Sequence, residues 1–179
     1  MNKNIQQIEE WTKKKYSEIV FDSDIHTWSQ NDSQFDSLII GKNHLAFIIE
    51  DERGEIFGYY INSSITYQYD ERVKVDQNSF AFNLHSNGRL PNPMKFNIID
   101  TYGGGYFLFD KSHEFLINIG SLFIHKQNQK DQSYHENQND EFNYNYLNIP
   151  YALCGKIPGP FSSLLQMFTP KRILVIHFI

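Results

Sequence analysis

Residues 45–61 read LAFIIEDERGEIFGYYI and contain two apolar runs on either side of a polar turn. The runs, 45–49 and 56–61, consist of aliphatic, β-branched and aromatic residues, which favour strands. Between them, Asp51-Glu52-Arg53-Gly54 supplies the acidic residues and the glycine that are typical of turns. The pattern therefore predicts a β-hairpin. Because both runs are apolar at nearly every position, each strand is predicted to be covered on both faces, as at the centre of a sandwich.

Short apolar runs continue along the rest of the chain. They are separated by turn sequences such as Asn87-Gly88 and Pro91-Asn92-Pro93. Many short strands at close spacing indicate a mostly β (α+β) fold and favour a β-sandwich. The strands predicted after the hairpin are 79–84, 94–99, 106–109, 115–119, 122–125 and 172–179.

The start of the chain shows a different period. Its apolar positions recur every three or four residues, which predicts one amphipathic helix. A turn-rich stretch follows, with a short helical piece predicted around Trp28 and Phe35. Residues 127–148 are dominated by Asn, Gln, Asp, Glu and Tyr and are predicted to form an exposed loop region. The positions that define the helical period are Ile5, Ile8, Trp11 or Thr12, Tyr16 and Ile19.

The composition fits one folded domain that spans residues 1–179. Hydrophobic residues make up 40% of the chain and aromatic residues 16%, which is too much packing material for a disordered protein. Cys154 is the only cysteine, so no internal disulfide can form and a reducing compartment is expected. The start is polar, unlike a signal peptide, and no apolar run is long enough to span a bilayer. A cytoplasmic location without membrane insertion is expected, with the nucleus as the alternative.

The charge balance limits the classes of partner. A net charge of −5 opposes non-specific attraction to nucleic acid or to an acidic membrane, so such binding would need a local basic patch. Three consecutive lysines on a helix spread around its circumference, and a solvated helix surface is the favoured interpretation. The candidate nucleic-acid patch consists of Lys13, Lys14, Lys15, Lys171 and Arg172.

Two short motifs resemble ligand-binding sequences. Gly103-Gly104-Gly105 could cradle a phosphate, but a phosphate loop needs a following helix, and residues 106–109 predict a strand. A flexible turn is therefore favoured. Asp22-Ser23-Asp24-Ile25-His26 alternates metal-ligating residue types, yet it lacks the Gly and the Glu that a calcium loop needs. A cap or turn role is favoured there, and no metal or cofactor is predicted.

The reactive residues of the chain form no catalytic constellation. Its histidines show no His-x-x-x-His or His-Glu-x-x-His spacing. Cys154 is a candidate redox thiol, a role that requires an exposed thiol of low pKa. Its neighbours, Tyr151-Ala152-Leu153 and Gly155, favour a small buried hydrophobic residue instead. The sequence therefore predicts a non-enzymatic protein.

A series of motifs appears in a characteristic order along nearly the whole chain. Ile8-Glu9-Glu10-Trp11-Thr12, Asp22-Ser23, Trp28 and Gly41-Lys42 precede the hairpin of 45–61, and 79–84, 106–109, Ile119-Gly120, 130–134 and 173–178 follow it. In this order the motifs resemble the TLDc domain family. Two departures stand out: a glycine run of the family is reduced to Gly120, and its acidic-aromatic final strand reads Leu174-Val175-Ile176-His177-Phe178.

The resemblance implies a fold and a role. It implies a sandwich of two antiparallel sheets flanked by helices, resistance to oxidative stress and, in several members, binding to the vacuolar proton-pumping ATPase. The first hypothesis is therefore a non-enzymatic module that binds a protein partner, with subunits of that ATPase as candidates. Residues 127–148 and exposed strand edges are the expected contact surface. The alternatives are a stress-related transcriptional regulator that contacts DNA through the basic patch, and a redox-active thiol protein.

Overall fold

A computed structural model describes residues 2–67, 71–101, 103–129, 132–136, 153–154 and 165–179. Helix α1 spans Asn2–Thr12 and helix α2 spans Phe35–Ile39. The strands are β1 (Tyr16–Asp22), β2 (Leu45–Asp51), β3 (Ile56–Ile61), β4 (Phe80–His85), β5 (Met94–Asn97), β6 (Tyr106–Leu108), β7 (Phe115–Ile119), β8 (Leu122–His125), β9 (Ser133–Glu136), β10 (Leu165–Phe168) and β11 (Pro170–Phe178).

The strands in these described residues form two antiparallel sheets. The first sheet has six strands in the order β1-β11-β2-β3-β4-β5, and the second has five in the order β10-β9-β8-β7-β6. Strand β11 lies between β1 and β2, so that Val175 is opposite Phe21 on one side and Phe47 on the other. The predicted antiparallel sandwich of two sheets with few helices is confirmed.

The main core fills the space between the two sheets. Phe47 of the first sheet and Tyr106 of the second belong to the same buried cluster. Phe57 and Phe168 meet edge to face in it, with ring centroids 5.1 Å apart, a geometry that aromatic rings prefer. Burial of this apolar area away from water holds the two sheets together.

A second apolar cluster lies on the outer face of the first sheet, beneath α1. Trp11 of the helix contacts Phe80 and Phe82, with ring centroids 6.0 and 6.2 Å away. Strands β2 and β3 are consequently buried on both faces, as their continuous apolar runs predicted. A Cβ atom on Gly58 would lie 1.8 Å from the carbonyl oxygen of Phe47, so this close pairing requires glycine.

The helix at the start of the chain is shorter than the predicted amphipathic helix. Helix α1 ends at Thr12, and Tyr16 and Ile19 belong to strand β1. The helix ends because Lys13 adopts a left-handed conformation, with φ of 60°, while its N–H still bonds the Glu9 carbonyl at 2.9 Å. The three- and four-residue spacing continued into a strand by coincidence, because pairing with β11 sets the conformation there.

All eight predicted strands exist, and three further strands in the described residues were not predicted. Strands β7 and β8 match the predicted ranges 115–119 and 122–125, whereas β1, β9 and β10 were not predicted. Strand β9 lies inside the region predicted as a loop. It was not predicted because its sequence contains no apolar run. Residues 130–131 and 137–148 of that region lie outside the described residues.

No helix among the described residues has the length and the apolar character needed to cross a bilayer.

Candidate functional site

A cleft of about 370 Å³ opens at one end of the sandwich, where segments from three parts of the chain meet. The described residues that line it are 23–24, Trp28, 125–129, 132–133 and 168–171. Trp28 and Phe168 contribute aromatic wall, and the amide side chains of Gln127, Asn128 and Gln132 contribute polar wall. We call this feature the polar cleft. It brings together the turn of 22–26, the start of the predicted loop region and Lys171, which the sequence analysis singled out separately.

The turn after β1 is fixed by short-range hydrogen bonds. The Asp22 carboxylate accepts the Asp24 N–H at 3.0 Å, and Nδ1 of His26 accepts the Asp22 N–H at 3.0 Å. The Ser23 hydroxyl accepts the Ile173 N–H at 2.9 Å, which attaches the turn to β11. Asp22, Ser23 and His26 therefore act as turn residues, the interpretation that the sequence favoured.

Both cations at the start of β11 are paired with carboxylates. Arg172 lies 2.6 Å from Asp22 and 3.1 Å from Asp24, and Lys171 lies 2.6 Å from Glu50. The hydrogen bonds from Arg172 hold the pKa of Asp22 below its usual range. Much of the positive charge that Lys171 and Arg172 would offer to nucleic acid is thus balanced within the protein.

The two halves of the basic patch lie far apart. Lys15 pairs with Ile179, just beyond the last residue of β11, whereas Lys171 lies near the first residue of that strand. At about 3.3 Å of rise per strand residue, the two groups are roughly 25 Å apart. Lys13, Lys14 and Lys15 lie in the link after α1 and not on the helix, which corrects their predicted placement.

Lys126 anchors the loop on the far wall of the polar cleft. Its ammonium group donates to the backbone carbonyls of Asp110, Lys111 and His113 at 2.6, 3.1 and 2.7 Å. The next residue, Gln127, donates its N–H to the Trp28 carbonyl at 3.2 Å. Carbonyl oxygens replace the hydration of the buried ammonium, so Lys126 positions the loop.

Asp36, in the first turn of α2, has a carboxyl group with a raised pKa. Burial raises the pKa of Asp36 to about 6, and the charges of Lys126 and Lys111 oppose that rise only in part. A carboxyl group in such surroundings is protonated more readily than one in water. Asp36 therefore changes its charge close to neutral pH.

The glycine run 103–105 accepts hydrogen bonds from an arginine side chain and is not arranged to bind a phosphate. Nη1 of Arg72 donates to the carbonyls of Gly103, Gly105 and Gly120 at 3.4, 3.0 and 3.0 Å, and Nη2 donates to Oδ1 of Asn118. A phosphate loop presents N–H groups, whereas this loop presents carbonyl oxygens. The strand that follows is β6, as predicted.

Cys154 is buried beside a group of charged residues. The carbonyl of its neighbour Leu153 accepts hydrogen bonds from Asn83 at 2.9 Å and from Arg89 at 3.2 Å. Burial, reinforced by the Glu55 carboxylate, raises the pKa of the Cys154 thiol above its ordinary value. The neutral thiol dominates at physiological pH, so a redox role would require the segment to open first.

The edges of the sheets carry features that oppose pairing with another strand. Strand β1 has two register shifts, at 16–18 and 19–21, and bulges of this kind twist an edge. Strand β5 has only four residues and carries Lys95. Strand β6 is capped by Val73, which exchanges hydrogen bonds with Tyr106. Strand β10, the remaining edge among the described segments, likewise has only four residues.

Sequence patterns did not single out three residues that position backbone groups. Arg72, Lys126 and Asp51 are polar residues whose side chains bind backbone groups, as Asp51 does with the N–H groups of Arg53 and Glu55 at 3.0 and 2.8 Å. Lys126 directly follows His125, the last residue of β8. In the described part of the chain, no group of three or more His, Cys, Asp or Glu residues is arranged to hold a metal ion.

The fold defines the chain as an antiparallel β-sandwich protein with a polar cleft at one end. The sequence model of the TLDc domain family matches residues 1–152. The chain therefore belongs to the TLDc domain family, as the order of its motifs indicated. The match ends before β10 and β11, although β11 occupies an interior position in the first sheet. No curated protein sequence matches the chain significantly.

Proposed function

We propose that this chain is a non-enzymatic TLDc module that binds a protein partner through the polar cleft. The observation that carries the proposal is the composition of the cleft, in which exposed amide side chains lie beside aromatic ones. An amide donates and accepts hydrogen bonds at once, which suits the backbone and the polar side chains of a protein surface. Trp28 and Phe168, which are 9% and 2% exposed, belong to the core and form the apolar floor beneath these groups.

The polar groups of the cleft support a binding role over a catalytic one. The Ser23 and Ser133 hydroxyls both accept backbone N–H groups, those of Ile173 and His125, at 2.9 and 3.0 Å. The ammonium of Lys126 is held by three carbonyls. Hydroxyls and amines occupied in this way are not arranged as a nucleophile with its base.

Membership of the TLDc family suggests the partner and the setting. The family resemblance makes the vacuolar proton-pumping ATPase the first candidate partner and the response to oxidative stress the first candidate process. Both would place the chain in the cytoplasm. A single cysteine, which cannot form an internal disulfide, also fits this reducing compartment.

Capture of the purified pump by the tagged full chain tests the proposal. Replacement of two exposed amides, in Gln127→Ala/Gln132→Ala, is expected to weaken capture at least about fivefold, because each truncation removes about one hydrogen bond. The matched control, Gln6→Ala/Gln77→Ala, changes two exposed amides outside the cleft and is expected to capture as the unchanged chain does. The same assay in cell extract, with and without peroxide, tests the link to stress.

Two outcomes would contradict the proposal. Equal capture by the cleft variant and the control variant would mean that the contact lies elsewhere. Turnover of a defined substrate by the purified chain, abolished by Cys154→Ala, would mean that the protein is an enzyme.

A further inference from the structure

Two side-chain amides on one wall of the polar cleft are available to a ligand. Gln127 and Asn128 line the cleft and are exposed. Neither side chain forms a hydrogen bond within the part of the chain that the structure describes. Gln129 and Gln132, on the same wall, already donate to neighbouring side chains at 3.3 and 3.1 Å. A ligand in the cleft therefore meets the amides of Gln127 and Asn128 with their hydrogen-bonding groups unpaired.

The backbone that carries these two amides is held in place. Lys126 donates its N–H to the Glu114 carbonyl at 2.8 Å, and Gln127 donates its N–H to the Trp28 carbonyl at 3.2 Å. Asn128 adopts a left-handed conformation with φ of 66°, which asparagine tolerates better than most residues. Because the loop backbone is fixed before a ligand arrives, binding loses less conformational entropy there.

A primary amide matches the backbone of an extended chain. It carries N–H donors and a carbonyl acceptor side by side, and the N–H and C=O of one extended residue point to the same side of a strand. Each amide can therefore bond both groups of one ligand residue. A helical segment offers no such pairs, since its backbone N–H and C=O groups bond within the helix.

The size of the cleft also favours an extended chain. One turn of helix with its side chains occupies roughly 420–610 Å³, which exceeds the cleft volume of about 370 Å³. A residue in packed sheets takes up about 160 Å³, so about two extended residues fit in the cleft.

The exposed charges on the cleft walls have opposite signs, and both are paired. Asp24 forms an ion pair with Arg172 at 3.1 Å, and Lys171 forms one with Glu50 at 2.6 Å. These exposed charges therefore do not select a ligand of either sign, which suits recognition of the uncharged peptide backbone.

We propose that the polar cleft binds an extended peptide segment of the partner, whose backbone is held by the amides of Gln127 and Asn128. This inference rests on the proposed function and specifies what the partner presents to the cleft. A small apolar side chain of the segment rests on the limited floor that Trp28 and Phe168 form. Because backbone groups are common to all residues, the cleft tolerates many side-chain sequences.

A folded surface is the competing form of partner, and the structure favours it less. The backbone groups of a folded surface are mostly paired already, so it would meet the two amides with side chains alone. An extended segment brings backbone donors and acceptors that are still unpaired, which match the amides of Gln127 and Asn128.

Selection from a library of random linear peptides tests the proposal. The full chain is expected to enrich binders, whose affinity is then measured by fluorescence polarisation. Methylation of one backbone nitrogen removes an N–H donor, and at one or two positions it is expected to lower the affinity at least about fivefold. Alanine at the same positions is expected to lower it less than about threefold. Raised salt should change the affinity little, because no exposed charge is in excess.

A pair of double variants locates the binding site. Gln127→Met/Asn128→Gly removes both amides, and glycine accepts the left-handed conformation at residue 128. Its affinity for the selected peptides is expected to be at least about tenfold lower. Asn31→Gly/Gln77→Met makes the same two exchanges at exposed positions outside the cleft, with Asn31 also left-handed at φ of 69°. This control is expected to bind as the unchanged chain does.

Failure of this inference is distinguishable from failure of the proposed function. If capture of the pump needs the cleft but no linear peptide binds, the cleft contacts a folded surface and the inference is wrong. Equal losses in the two double variants, or larger losses from alanine than from backbone methylation, would also overturn it. If peptides bind through Gln127 and Asn128 while the pump is not captured, the inference holds and the candidate partner is wrong. Should the cleft variant unfold on thermal analysis, the methylated peptides still provide the test on the unchanged chain.

Discussion

At the scale of single residues, Asp36 links this protein's stability to pH. Because burial raises its pKa from 3.8 to about 6, the folded state holds the proton more tightly than the unfolded state does. The contribution to stability is fully present below about pH 3.8 and is lost as the pH rises through about 6. Asp36→Asn removes the ionisation. We expect the variant to gain, relative to the unchanged chain, on the order of 1 kcal/mol between pH 4 and pH 7, after allowance for solvent screening.

Denaturant unfolding at the two pH values measures this gain. The control is Asp32→Asn, which changes an exposed carboxylate in the connection that precedes α2. A difference between Asp36→Asn and the unchanged chain that stays the same at both pH values would show that the Asp36 carboxyl titrates normally.

At the scale of elements, Arg72 joins two loops at one end of the second sheet. Its guanidinium bonds carbonyls before β6 and after β7, together with the buried Asn118. Arg72→Ala removes the guanidinium donors, while the Gly105 carbonyl keeps the Gly120 N–H and the Gly120 carbonyl keeps the Asn118 amide as donors. We expect the free energy of unfolding to fall by about 2–4 kcal/mol. Arg72→Lys keeps the charge but loses the fork of donors, so a smaller loss of about 1–2 kcal/mol is expected. Denaturant unfolding measures both.

The exposed neighbour Glu71 supplies the comparison for Arg72. Glu71→Ala is expected to change the free energy of unfolding by less than about 0.5 kcal/mol. Hydrogen exchange locates the effect, because amides near Gly105 and Gly120 should lose protection in Arg72→Ala. A loss spread evenly over both sheets would argue against a local role in joining the loops.

The elements also show what sequence patterns can predict here. Strands buried on both faces, such as β2 and β3, appear as continuous apolar runs and were located to within two residues. Strand β1 was taken for helix because its conformation depends on β11, which follows some 150 residues later. Local sequence patterns could not predict the cleft either. The sequence analysis singled out some of its wall residues one by one, but only tertiary strand pairing brings them together.

At the scale of the whole molecule, the range matched by the family model is insufficient for the fold. Residues 1–152 lack β10 and β11, and without β11 both β1 and β2 lose a paired neighbour. Ile173, Val175 and Ile176 are also buried. We expect a chain that ends at residue 152 to show no cooperative unfolding transition by circular dichroism or calorimetry.

Two substitutions at Val175 distinguish the loss of backbone pairing in β11 from the loss of a buried side chain. Val175→Pro removes a hydrogen bond in the interior of the sheet and should cost at least about 3 kcal/mol. Val175→Ala keeps the backbone and should cost about 1–2 kcal/mol. A cooperative transition in the shortened chain would show that β11 is dispensable.

The interior position of β11 also matters while the protein is being made. Helix α1 and strand β1 are synthesised before the other described elements, whereas β11, which attaches β1 to the sheet, is synthesised after them. At about 5–20 residues per second, the nascent chain spends many seconds with the edge of β2 unpaired and the apolar residues around it uncovered. Unpaired edges of this kind promote aggregation, so efficient production in a cell should depend on chaperones that shield the growing polypeptide until residues 170–178 have left the exit tunnel.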